Sequence, residues 1–335
     1  MTAALLVAGI IVLALNAYVL LGGADFGGGV WDLLSRGPRR SAQRDLVAHA
    51  IGPVWEANHV WLILVIVLLF TCFPAAFARL AVTLNLPLSG VLVGIVLRGS
   101  AFAFRGYGGD RDAVQRRWGR VFAVASLITP VLLGVALGAV ASGAVGKPHA
   151  GAGGFAQLYI EPWLTPFAFA VGLFTLACFA FLAAVYLTLE ARDKALQEDF
   201  RARALGAGVA VFVTAALALV LSRPGAPLMR HGLVSSGWAL PFQLVTAGAA
   251  ITALGALWVR RYGLARIAAA TQVSLILWGW ALSQLPFVIP PDLTIADAAA
   301  PAITLKLVLG ALVLGAVVLL PSLAYLFAVF KTSSR

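Results

Sequence analysis

Charged residues are scarce in this chain. Lys, Arg, Asp and Glu make up 11% of its 335 residues, under half of the roughly 25% usual in soluble domains. Cysteine and histidine are nearly missing, with two and four copies. So little charge leaves no polar coat for a water-soluble globule, and 61% apolar residues is more than a core of this size can hide. The two cysteines, Cys72 and Cys178, exclude a disulfide-stapled fold. They sit within or at the end of apolar runs, in no metal-ligand spacing, and read as buried inert thiols. Four histidines cannot supply the paired ligands on facing spans that haem-bearing membrane cytochromes need. P-loop, GxSxG, zincin and Rossmann signatures are also lacking. A polytopic membrane protein remains.

What is present agrees. Nine apolar segments run at roughly 2–22, 53–77, 79–102, 118–141, 162–189, 203–221, 237–259, 264–288 and 302–330. Their Leu, Ala, Val and Gly composition suits helices, which satisfy their own backbone in lipid. No run of alternating ten-residue segments suggests a barrel. The expected fold is an all-α polytopic helix bundle of about nine spans, forming one transmembrane domain over 1–335. The first segment lacks a positive n-region and is long enough to span, so no cleavable signal peptide is expected.

The net charge of +11 reflects topology rather than nucleic-acid binding. Alternate loops hold Arg36, Arg39, Arg40 and Arg44; Arg98, Arg105, Arg111, Arg116, Arg117 and Arg120; Arg192, Lys194, Arg201 and Arg203; Arg260, Arg261 and Arg266; and Lys331 and Arg335. That is 19 basic residues, against Arg79, Lys147, Arg223 and Arg230 on the other side. The positive-inside rule then puts the N-terminus outside and the C-terminus in the cytoplasm. Trp31, Trp118, Tyr159, Trp163, Trp258, Tyr262 and Tyr325 at segment ends read as interfacial anchors. The loop over 142–161, rich in Gly and Ala, reads as flexible.

Ionisable groups at membrane depth cost roughly 2.5–3.5 kcal/mol on insertion scales and are functional candidates by default. Asp25 lies in a block of glycines, Gly22-Gly23-Ala24-Asp25-Phe26-Gly27-Gly28-Gly29. Either the block is a flexible helix exit with a solvated carboxylate, or the missing side chains admit a close neighbour. Glu56, Asn58, His59 and Trp61 fall within about two turns of the second segment, with Pro53 suited to its first turn. Glu56 and His59 have the i, i+3 spacing of a di-iron bundle ligand pair, but that site needs a second copy and two more carboxylates, which are lacking. His59 as a haem ligand stands against the commoner packing histidine. Arg98 closes the third segment and can pair with an intramembrane carboxylate or snorkel to the interface. Glu161, Lys306, His49, His149 and His231 read as interfacial or loop residues.

These blocks resemble subunit II of the cytochrome bd-type quinol oxidases. The resemblance rests on Gly23 to Gly29, on Ile51-Gly52-Pro53-Val54-Trp55-Glu56-Ala57-Asn58-His59-Val60-Trp61-Leu62-Ile63, and on Arg98-Gly99-Ser100-Ala101-Phe102-Ala103-Phe104-Arg105. Gly279 to Pro286 and Pro321 to Phe327 extend it nearly end to end. It implies a haem-free chain, with no metal of its own, that partners a haem-bearing subunit I. That partner would carry the b-type and d-type haems and the quinol site, often with a very small single-span subunit beside it, in the lipid of a prokaryotic cell membrane. Some members hold a structural quinone. The complex couples quinol oxidation to reduction of oxygen to water, drawing protons from the cytoplasm. By the same resemblance Asp25, Glu56, Asn58 and His59 are proton-pathway candidates. Trp61 and Arg98 are candidates for an oxygen route or the subunit contact. Glu56 stands where relatives often have Asp, and His59 where some have Gln. Two other readings stay open: a transporter using Asp25, Glu56 and Arg98 for ion coupling, though no inverted repeat is apparent, and a purely structural assembly subunit.

Overall fold

The computed structural model describes residues 2–51, 55–107, 112–146 and 154–332. Pro53, Arg111, Lys147, His149, Arg335 and the middle of the 142–161 loop lie outside them, as do the side chains of Arg105, Arg116 and Lys331. The chain runs α1 (Ala3–Leu33), α2 (Arg40–Ile51), α3 (Trp55–Asn58), α4 (Val60–Cys72), α5 (Pro74–Thr83), α6 (Asn85–Tyr107), α7 (Asp112–Ala141), α8 (Phe155–Tyr159), α9 (Pro166–Glu190), α10 (Lys194–Gly225), α11 (Pro227–Ser235), α12 (Ala239–Trp258) and α13 (Tyr262–Gln284). A two-stranded antiparallel hairpin follows, β1 (Phe287–Ile289) and β2 (Leu293–Thr294), then α14 (Ile295–Ala298) and α15 (Ala302–Thr332). Among the described residues nine helical stretches are long and apolar enough to cross a membrane.

Helix α9 is the hub. It packs on α1, α7, α10 and α13, and 67% of its spanning window is buried, against 6% for α15 at the rim. Its Thr165 hydroxyl caps the first turn by accepting from the Ala168 N–H, and Pro166 fills the first helical position. Among the described residues three apolar clusters make up the core: a small one around Phe167 and Met229, and two larger ones at opposite ends of the bundle. The larger of these two gathers Phe26, Trp31, Phe122, Phe179, Phe181 and Phe200 toward the arginine-rich end. Its counterpart holds Val7, Leu68, Cys72, Phe73, Leu84 and Ile289 at the other end, around the hairpin. Cys72 and Cys178 are both buried free thiols. The outer surface stays apolar, with Phe212 at 75% and Ile251 at 73% exposure, as expected of side chains whose solvent is lipid.

The structure departs from the sequence reading in several places. Helix α1 does not end at Gly22; it continues through the glycine block to Leu33, because α9 and α7 pack against the bare backbone there. The segment read over 53–77 is broken at His59 and again at Phe73. The third span begins at Asn85 rather than Arg79, since Pro74 starts a separate connecting helix that carries Arg79. The eighth ends at Gln284 and turns into the hairpin. Trp31 is not an interfacial anchor: it is 8% exposed and its indole N–H donates to the Ala180 carbonyl at 2.8 Å. His49 and His231 lie on helices α2 and α11 rather than in loops.

Beyond α1 the arginine-rich end is tied by polar contacts. The Gln43 amide donates to Asp199 at 2.8 Å and its carbonyl accepts from Arg203 at 2.6 Å, while Arg39 pairs with Asp199 at 2.6 Å. Arg260 pairs with Glu198 at 2.6 Å. Hydrogen bonding to these carboxylates, then their charge, raises the pKa of Arg39 and Arg260 above the ordinary guanidinium value. These contacts hold α2 against α10, and α10 against the turn before α13.

Candidate functional site

The glycines in α1 are where neighbouring helices touch its backbone. A Cβ on Gly23 would lie 2.7 Å from the Phe179 ring, and one on Gly27 would overlap the Phe179 carbonyl. Gly28 faces Ile51 of α2 and Gly29 faces the Ser126 hydroxyl of α7. Small residues at such contacts are the usual means of close helix approach in lipid. The consequence for Asp25, between them in sequence, is burial: it is 6% exposed and is no solvated helix exit.

Its carboxylate Oδ2 accepts a hydrogen bond from the Asn58 side-chain amide at 2.7 Å. Asn58 ends the short helix α3 and is itself 3% exposed. Arg98 of α6 is 2% exposed, so it does not snorkel. Its guanidinium lies over the rings of Phe26 at 4.8 Å and Phe122 at 5.3 Å, and the Asp25 charge acts on it. His59 sits at the helix break, its ring 5.7 Å from that of Tyr18, 6.2 Å from Phe26 and 6.0 Å from Trp55. Gly99 makes room for Trp55, whose ring edge would lie 2.7 Å from a Cβ there.

Among the described residues several buried polar atoms in this region have no hydrogen-bond partner: Tyr18 Oη, Asn58 Oδ1, His59 Nδ1, Arg98 Nε and Nη2, and Ser126 Oγ. A buried unsatisfied group destabilises by about 1–3 kcal/mol. Most of them belong to residues grouped near the Asp25 carboxylate, which makes this the candidate site.

The structure thus brings Asp25, Asn58, His59 and Arg98 together. Glu56 is not among them. It lies on the opposite side of the α3 turn, exposed, and no described side chain pairs with its carboxylate. Trp61 is half-buried on the edge of the larger core. Among the described residues no three His, Cys, Asp or Glu side chains are grouped to hold a metal. A haem does not fit at His59 either, since Tyr18, Phe26 and Trp55 already surround its ring.

Sequence reasoning missed Tyr18, Asp32 and Ser126. Tyr18, Asp25 and Asp32 follow one another at intervals of seven on α1. That spacing returns to the same helix face within about 20°, so a signal for two of the three was present. Ser126 carries no such signal, because only tertiary packing sets it opposite Gly29.

Comparison with known proteins identifies the family and the fold. A family model described as cytochrome bd terminal oxidase subunit II matches residues 3–330. A chain provisionally named cytochrome bd menaquinol oxidase subunit II, from Bacillus subtilis (strain 168), is 22% identical over 328 residues, covering 95% of this chain and 92% of its own. The cytochrome bd ubiquinol oxidase subunit 2 of the same organism is 34% identical over 118 residues, 35% of this chain and 34% of that one. The solved bd oxidase of Geobacillus thermodenitrificans contains a chain with the same fold, at TM-score 0.80 and 24% identity, covering 98% of this chain and 99% of that one. The chain belongs to the cytochrome bd terminal oxidase subunit II family.

Proposed function

We propose that this chain is the haem-free, non-catalytic subunit of a quinol-oxidising, oxygen-reducing complex in a prokaryotic cell membrane. It would stabilise a haem-bearing subunit I and help deliver protons to it, with a very small third subunit as a further partner. The arginine-rich end faces the cytoplasm, and residues 1–335 act as one membrane domain. The haems held by the partner would supply the electron and oxygen chemistry, and a structural quinone is compatible with the apolar surface. Membership of the family removes the ground for an ion-coupled transporter.

The observation that carries the proton role is the buried Asp25–Asn58 hydrogen bond, set among buried polar atoms that lack partners. A carboxylate alternates between accepting and donating as it loses and gains a proton, and Arg98 supplies compensating positive charge. Helix α3 links the two candidate acids: Asn58 points inward to Asp25 and Glu56 outward. A carboxylate exposed at this depth is best satisfied against a partner chain, so Glu56 is assigned the hand-over to subunit I. His59 sits beside the same link. Trp61 and Arg98 retain the oxygen-route or subunit-contact role that the resemblance implies.

The test is oxygen consumption with a reduced quinol by the assembled oxidase carrying Asp25→Asn or Glu56→Gln, read beside its visible haem spectrum. Slower turnover with an unchanged spectrum is expected. Native turnover would defeat the proton role, and loss of haem together with activity would leave only the stabilising one.

A further inference from the structure

Asp25 is buried, so a proton that reaches it from the arginine-rich end must cross the last turns of α1. We infer that Asp32 and Ser126 form that inlet, with the Ser126 hydroxyl as the relay between two carboxylates. The inference rests on the proton role of Asp25 proposed above.

Asp25, Gly29 and Asp32 are spaced i, i+4 and i+7, so they share one face of α1. Asp32 is 1% exposed and lies about 10 Å further along the axis. Its Oδ1 is 3.7 Å from Arg44 Nε, and Arg44 is 28% exposed, so this pair connects the buried face to the surface. Gly29 lies between the two acids, and the atom nearest to a Cβ there would be Ser126 Oγ. Ser126 is 0% exposed, and its hydroxyl has no hydrogen-bond partner among the described residues. A helical serine ordinarily satisfies itself on the carbonyl four residues back, as Thr129 of the same helix does on Ala125 at 2.7 Å. Ser126 leaves its hydroxyl turned to the Asp25–Asp32 face instead.

Opposite Gly29, Ser126 divides the axial distance into steps of about 6 Å to Asp25 and about 4.5 Å to Asp32, lengths that one bound water in each would bridge with two ordinary hydrogen bonds. The transfer balances as a hop. The Asp32 carboxyl gives a proton to the first water, and Ser126 Oγ gains a proton from that water as its own O–H breaks toward the second. Asp25 then takes the proton from the second water. No atom is gained or lost along the row, and the net change is one proton moved from Asp32 to Asp25. The glycine at 29 is part of the device, because any side chain there would occupy the place of the hydroxyl.

Ser126→Ala separates transport from structure. Removing a buried hydroxyl that lacks a partner leaves stability unchanged or raised, whereas breaking the row slows proton delivery. In the assembled oxidase Ser126→Ala and Asp32→Asn are each expected to slow oxygen consumption by about tenfold. In lipid vesicles a pH dye should report slower proton uptake, while anaerobic haem reduction by quinol keeps its native rate. The visible spectrum of both variants and the melting temperature of Ser126→Ala should not fall. Native turnover in Ser126→Ala overturns the inference, and so does a Ser126→Ala complex that loses haem or melts lower. If Asp32→Asn fails to assemble because the Arg44 pair is lost, Ser126→Ala alone decides. Asp25→Asn in parallel separates the two proposals. If it is slow while Ser126→Ala and Asp32→Asn are native, the inlet is wrong and the role of Asp25 stands. If Asp25→Asn is native with its haem intact, both fail.

Discussion

At the residue scale, the glycines of α1 show how absence of a side chain becomes function. Gly27 presses on the Phe179 backbone, which cannot rotate away as a side chain can. Gly27→Ala must therefore push α1 from α9, and overpacking of this kind costs about 1–3 kcal/mol. The melting temperature of the purified complex should fall accordingly. Gly9, with nothing within 4 Å of its Cβ position, is the internal control, and Gly9→Ala should melt as the native protein does. The same close approach buries Asp25, so Gly27→Ala should also lower turnover, through displacement of the carboxylate rather than loss of it.

At the element scale, the short helices decide what the long ones can do. Helix α2 does not span, yet its Gln43 is 4% exposed and bonds to both Asp199 and Arg203 of α10. Arg39 reaches the same Asp199 from the surface, with its side chain 46% exposed. Buried and exposed contacts to one partner should differ in worth. Gln43→Ala removes two part-buried hydrogen bonds, one to Asp199 and one from Arg203, and should cost about 1–3 kcal/mol by denaturant or thermal melt. Arg39→Ala should change little, and that change should fade as salt is added. The α3 turn is the second such case. Four residues present Asn58 to the interior and Glu56 to the exterior, as two residues two apart on a helix do, and the packing of α1 fixes which of them faces inward.

At the scale of the whole molecule, the uneven distribution of arginine should fix orientation. A phosphatase that matures only outside the cytoplasm, fused after Arg335, should be inactive, and a fluorescent protein at the same position should glow. The opposite pair of results would reverse the assignment of ends and turn the Asp32 inlet toward the outside. Much of this scale was legible beforehand. Segment number, helical class and family all followed from long apolar runs and the blocks around Asp25, Glu56 and Arg98. Boundaries were less legible, because Pro74, the break at His59 and the end at Gln284 depend on neighbours rather than on hydropathy.

The sequence by itself determined that this chain lies in a membrane, how many times it crosses, and which few ionisable groups it carries there. Those properties are local, set by apolar length and by the cost of charge in lipid. Only the tertiary structure decided which of those groups meet. Asp25 joins Asn58, His59 and Arg98, while Glu56, two residues from Asn58 and so on the opposite helix face, turns outward. Trp31 passes from expected anchor to core, and Ser126 gains a role that no motif announces. The reason is physical: a glycine says that something approaches closely, but which side chain arrives is settled by the packing of helices far apart in sequence.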